Sequence, residues 1–160
     1  CWALICAHCW QVQGMANFSA SASLPEGYVL GVDFGLKNIG IAVGQTLTGH
    51  GNGLTTLKAK NGNPVDWLEL KALIDDYQPI AIVVGLPLNM DGSDSDMAQR
   101  ARKFADTMAH RCKRTVVLCD ERLSSWSAHH AAGNTTTADV HQESACRIVE
   151  TWLREQNLST

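Results

Sequence analysis

Apolar positions along the chain follow two rhythms, and their alternation predicts strands and helices in turn. Tyr28 to Asp33 (YVLGVD) and Ile39 to Gly44 (IGIAVG) are short apolar runs that read as strands. The residues between them, Phe34-Gly35-Leu36-Lys37-Asn38, read as a turn. Leu54 to Lys60 carries β-type residues and would close a three-stranded antiparallel meander, with Gly49 to Gly53 as turn material before it. From Pro64 to Tyr77, Val65, Leu68, Ala72 and Ile74, broadened by Trp67 and Leu70, fit an amphipathic helix ended by Gln78-Pro79. Ile80 to Leu86 (IAIVVGL) is apolar throughout, as in a strand buried on both faces. A loop from Asn89 to Asp94 follows, where Ser93, Asp94 or Ser95 would cap a helix. Met97, Ala101, Phe104, Ala105 and Met108 then recur at helical spacing. Thr115 to Cys119 is a further buried strand and runs into Asp120-Glu121-Arg122. Two helices are expected near Ser124 to Ala132 and Asp139 to Gln156. The order β-β-β-α-β-α-β-α-α predicts an α/β fold with a mixed five-stranded sheet, an antiparallel meander plus parallel strands, flanked by helices.

Composition sharpens this picture. The 160 residues match one ordinary domain, and 45% apolar content supplies a core. A formal net charge of -3 excludes a generally basic nucleic-acid coat protein but leaves room for a local basic face. No apolar run reaches the roughly 18 residues that span a bilayer. Residues 1–27 lack periodicity and include a Ser/Ala-rich tract, so they read as a disordered or non-native extension, with Met15 as the expected native start. Residues 28–156 form the single domain and 157–160 a tail. Cys6 and Cys9 form a CxxC with no second half to complete a zinc site. Cys112, Cys119 and Cys146 read as small apolar residues, and a reducing cytoplasm is the expected location.

The chemistry gathers at strand ends. Asp33 sits where an apolar strand gives way to a turn, and Asp120-Glu121 ends another. Taken alone, Asp33 reads equally well as a turn-capping residue. Two carboxylates at strand ends of one sheet can converge, and converging carboxylates attract a hard divalent cation such as Mg²⁺ or Mn²⁺. Such a site neutralises charge on a phosphodiester during in-line displacement.

The segment Gly31 to Gly44 (GVDFGLKNIGIAVG) resembles the opening of the YqgF/RuvX family, RuvC-like and ribonuclease H-like resolvases and pre-rRNA nucleases. Val84 to Gly92 (VGLPLNMDG), Asp120 to Ser124 (DERLS) and the helix around Arg100 to Ala105 agree with it in matching order, from about Tyr28 to Leu153. The resemblance implies a ribonuclease H-like nuclease domain over residues 28–156, with Asp33 and Glu121 as metal ligands. It also puts His141 on the family's third acidic position, an imidazole where Asp is expected. Such a group would ligate Mn²⁺ or act as a general base, with weaker Mg²⁺ affinity than three acids give. Glu143 would replace it only in a different register, because it lies about 200° around the helix.

Between Gln99 and Arg114 stand six Lys and Arg, among them Arg100, Arg102 and Lys103, against one Asp. With Lys37 and Arg122 these are the candidates to hold nucleic-acid phosphates. Asn89 and Asp91, with Gly92, belong to the loop expected at the cleft. Trp67, Trp126 and Trp152 are expected to pack. The resemblance implies a metal-dependent endonuclease, with 5′-end maturation of precursor 16S rRNA favoured over cleavage of branched DNA such as Holliday junctions. A catalytically weak RNA-binding assembly factor is the alternative that His141 raises. An actin-like ATPase or sugar kinase also opens on a DxG hairpin, but needs two such domains and this chain has room for one. A monomer or weak dimer is expected, with no membrane partner.

Overall fold

The computed structural model describes residues 9–12, 24–123 and 137–158. It contains strands β1 (Cys9–Val12), β2 (Tyr28–Asp33), β3 (Asn38–Gln45), β4 (Gly51–Lys60), β5 (Asn63–Pro64), β6 (Ala81–Leu86) and β7 (Val116–Asp120). Helices α1 (Trp67–Tyr77), α2 (Asp96–Cys112) and α3 (Thr137–Leu158) accompany them, with a 3-10 turn at Glu121–Leu123. The strands form one sheet in the order β1-β7-β6-β2-β3-β4-β5. β2, β3 and β4 are the antiparallel meander, while β6 and β7 join parallel to β2 and to each other in sequence.

The mixed α/β sheet agrees with the sequence reading, but the strand count does not: seven strands replace five. β1 pairs antiparallel with β7, and the two-residue β5 pairs with the end of β4. β4 also starts earlier than expected. Gly51, Asn52 and Gly53 pair with Gly44, Val43 and Ala42, so these glycines lie in the ladder rather than in the preceding turn. Helix α1 begins at Trp67, where the Asp66 side chain accepts from the Leu68 N–H, so Pro64 is strand instead. Its buried stripe is Leu70 and Ile74, whereas Val65 and Leu68, expected in that stripe, are 70% and 73% exposed. Ser95 caps α2 by accepting from the Ala98 N–H. The helix expected near Ser124 to Ala132 lies outside the described residues.

The period of two along each strand sorts side chains between two layers. Leu30, Val32 and Phe34 from the β2 end, Ile82, Val84 and Leu86 from β6, and Val116 and Leu118 from β7 pack toward α1 and α2. Phe34 and Trp67 both lie against Phe104 of α2. The alternate residues Val29, Ala81, Val83, Val117 and Cys119 pack with Ile148, Val149, Trp152 and Leu153 of α3. Beside them the α3 face is paved with glycine. A methyl on Gly31 would overlap the Ala145 carbonyl, and one on Gly40 would overlap the His141 carbonyl. The lack of side chains at these positions lets the α3 backbone lie directly on the sheet.

Candidate active site

The same alternation decides which acids meet. Asp33 follows Val29 and Gly31 on the α3 side of β2. Val32 pairs with Val84, so one step further along the parallel ladder Asp33 stands beside Gly85 of β6. Gly85 pairs in turn with Cys119 of β7. Glu121, two residues beyond Cys119, returns to the α3 side and folds its carboxylate over Gly85, where a methyl group would overlap Oε1. The missing side chain of Gly85 is therefore the space that Glu121 occupies between the two outer strands. Burial, helped by the nearby charges of Asp33 and Asp120, pushes the Glu121 carboxyl up to about 7. Burial also raises Asp33, against the lowering effect of its hydrogen bond to His141.

His141 arrives on the first turns of α3, and its Nδ1 donates to Asp33 Oδ2 at 3.0 Å. Glu143, the residue of the other register, pairs instead with Arg147 one turn on. The helical register therefore presents His141, not Glu143, to the strand-end acid. Asp33, Glu121 and His141 share one neighbourhood. Even so, among the described residues no three His, Cys, Asp or Glu side chains converge on a point where one cation would sit. The imidazole nitrogen nearest the acids faces Asp33 itself. Two partly buried carboxyls, both raised by burial and one of them raised further by the charge of the other, remain a donor set suited to a hard divalent ion.

Asp120 points to the opposite layer and is 2% exposed. The Arg122 guanidinium covers it, donating from Nε to both carboxylate oxygens at 3.1 Å and from Nη2 to Oδ2 at 2.7 Å. Sequence reasoning missed this buried pair. Its signal was a second acid adjoining Glu121, which alternation must turn to the other side of the sheet. Arg122 Nη1 also donates to the carbonyls of Asn89 and Met90, at 3.4 and 3.2 Å. Arg122 thus braces the loop after β6. Within that loop Asp91 accepts from the Ser93 N–H and Oγ, which holds its carboxyl below the usual range, and Asn89 Nδ2 donates to Ser93 Oγ.

The basic candidates stand apart from the acids. Arg100, Arg102 and Lys103 line an open groove of about 1100 Å³ between α2 and the β4–β5 turn, with Asn61, Asn63 and Phe34 among the other walls. Arg102 makes a two-pronged ion pair with Asp94. Arg100 and Lys103 are exposed and form no salt bridge among the described residues. Lys37 is exposed in the β2–β3 turn, which is fixed by the Ala59 N–H donating to the Lys37 carbonyl. The groove opens on the α2 side and the carboxylates on the α3 side, and Phe34, next to Asp33, marks the edge between them. Trp67 and Trp152 pack as expected, Trp67 beneath Arg111 and Trp152 buried against the sheet, while Trp126 lies outside the described residues.

Comparison with known proteins identifies the family and the fold. Over residues 27–155 the chain matches the model of a family described as "RuvX: Holliday junction resolvase". It is 54% identical over 134 residues to a protein of Pseudomonas syringae pv. syringae named "Putative pre-16S rRNA nuclease", covering 79% of this chain and 91% of the relative. A protein of the same name from Pseudomonas aeruginosa PAO1 is 44% identical over 137 residues, covering 82% and 94%. Among solved structures, Thermus thermophilus RuvC in complex with a Holliday junction substrate superimposes with a TM-score of 0.52 at 13% identity, covering 78% of this chain and 91% of that one. The yeast mitochondrial Holliday junction resolvase gives 0.52 at 12% identity, covering 87% and 82%. These distant likenesses speak for the fold, and among the described residues no helix is long and apolar enough to cross a membrane. With a family model spanning most of its length and relatives of this identity, the chain belongs to the RuvX family.

Proposed function

We propose that the protein is a metal-dependent endonuclease that hydrolyses phosphodiester bonds and acts in 5′-end maturation of precursor 16S rRNA in the cytoplasm. The observation that carries this reading is the pairing of two partly buried strand-end carboxyls, Asp33 and Glu121, one of them raised to about 7 by burial and its acidic neighbours. Carboxyls confined this way have a strong incentive to share a cation. Asp33 and Glu121 would hold Mg²⁺ or Mn²⁺, which supplies charge neutralisation at a phosphodiester undergoing in-line displacement.

The protein's own groups do the rest. His141 is oriented by its Nδ1 bond to Asp33, so Nε2 is the ring atom left to take a proton from an attacking water. Lys37 is exposed in the turn that follows Asp33, and Arg100 and Lys103 are exposed along the groove on the α2 side; these cations would hold the phosphate backbone without reading its sequence. Arg102 and Arg122 join them only in part, because Asp94 and Asp120 already engage their guanidinium groups. The names of the relatives favour precursor rRNA, and the family description favours a DNA junction.

The test is cleavage of a precursor 16S rRNA fragment and of a four-way DNA junction by purified protein, with each metal, beside Asp33→Asn. We expect rRNA cleavage that Asp33→Asn reduces by about a thousandfold or more at unchanged melting temperature. Junction cleavage alone would move the substrate to branched DNA. Tight RNA binding without cleavage under either metal would make the protein an assembly factor.

A further inference from the structure

Met90 is the most exposed of the large apolar residues described, at 94%. It does not sit on a slack loop. Arg122 grips the carbonyls of Asn89 and Met90. The Asn89 N–H donates to the Ser93 carbonyl, and the Gly92 N–H, at a φ of 86°, returns to the Asn89 carbonyl, both at 2.9 Å. The loop is therefore a closed, braced turn that holds one thioether out into solvent. It leaves the end of β6, the strand between Asp33 on β2 and the Asp120-Glu121 end of β7. Met90 thus projects at the end of the sheet where the acids stand.

A lone apolar tip ringed by exposed Asn89, Asp91, Gly92 and Ser93 is a poor protein-docking patch, since such patches are contiguous and broad. It is well shaped for a single narrow apolar slot, and nucleic acid offers that slot between stacked bases, where Met and other apolar side chains act as wedges. The long, polarizable side chain of methionine suits contact with a base face. We propose that Met90 is the wedge that unstacks a base beside the scissile phosphate, and that Arg122 is the positioning residue that keeps it aimed. This rests on the nuclease reading.

The test uses the full chain with two probes in EDTA: an RNA fragment of the precursor 16S 5′ end and a four-way DNA junction, each with 2-aminopurine at successive positions. Wild type should brighten the fluorophore at one or two adjacent positions, and Met90→Leu should keep that signal. Met90→Ala should abolish it and slow metal-supported cleavage by about tenfold with an unchanged melting temperature. Arg122→Lys, which keeps the charge but not the forked bracing, should weaken the signal at the same positions. Identical fluorescence and cleavage in Met90→Ala and wild type would overturn the wedge while leaving the nuclease intact. A wild type that neither binds nor cleaves either probe would overturn the nuclease reading, and the wedge with it.

Discussion

The two layers on either side of the sheet are built in opposite ways. Toward α1 and α2 the strands present Leu30, Val32, Ile82, Val84 and Leu86, large side chains that interdigitate with Phe104 and Met108. Toward α3 the central strands present Gly31, Gly40 and Gly85, and the helix or Glu121 fills the space those residues leave. One layer gains its stability from buried apolar area. The other gives up side-chain area for backbone proximity, and that proximity brings His141 to Asp33. The layer with the thinner side chains is the one that sets His141 and Glu121 around Asp33.

Substitutions on the two sides should therefore fail differently. Leu30 is fully buried, and Leu30→Ala should cost about 2–5 kcal/mol in a urea titration while leaving Mn²⁺ affinity near wild type in the folded protein. Gly40→Ala adds a single methyl, but that methyl meets the main chain of α3 at His141, which cannot rotate away. It should cost about 1–3 kcal/mol. It should also weaken Mn²⁺ binding, measured calorimetrically, by about tenfold because the orienting partner of Asp33 moves. Equal metal affinity in the two variants would erase the distinction.

Much of this architecture is legible in the sequence because buried strands and the α2 stripe are strongly patterned. Met97, Ala101, Phe104, Ala105 and Met108 recur at helical spacing, and IAIVVGL reads as a strand buried on both faces. The glycines mislead. Gly51 and Gly53 sit in a turn-like run, yet they are ladder residues against which Val149 and Gln142 of α3 are packed, a role that depends on partners far along the chain. Val65 and Leu68 fit a helical stripe, but the helix starts only at Trp67, after Val65, and Leu68 lies about 200° around it from the buried Leu70, so both face solvent. At the site, the acids at strand ends are visible in sequence, but their sorting is not. Alternation through a 3-10 turn sends Glu121 to Asp33 and Asp120 to Arg122. The bracing role of Arg122 depends on loop carbonyls more than 30 residues away and leaves no local signal.

Acidity offers a second way to separate the layers. The Glu121 carboxyl rises from an ordinary 4.5 to about 7, so the native state holds its proton more tightly than the unfolded chain does. Its contribution to stability is complete below pH 4.5 and is lost as pH climbs through 7. Metal-free protein should lose about 2 kcal/mol over that window, after allowing for partial exposure, as read from urea titrations in EDTA at pH 5 and pH 8. Glu121→Gln should flatten the difference. A slope that survives the substitution would place the strain on a group other than Glu121, with Asp33, also raised by burial, the next to substitute.

The smallest effect probes the joint between the layers. Ser95 Oγ accepts from the Ala98 N–H at the start of α2 and donates to the Pro87 carbonyl, closing the connection that carries the braced loop. Ser95→Ala removes one helix cap and should cost about 1 kcal/mol, a fall of a few degrees in Tm. Its partners all lie on the connection and on α2, whose buried side chains pack in the layer opposite the carboxylates, so Mn²⁺ affinity should hold. If affinity drops together with Tm, the β6–α2 connection transmits strain through Arg122 to the neighbouring Glu121. The two layers would then be one mechanical unit, with the buried Asp120–Arg122 pair as their hinge.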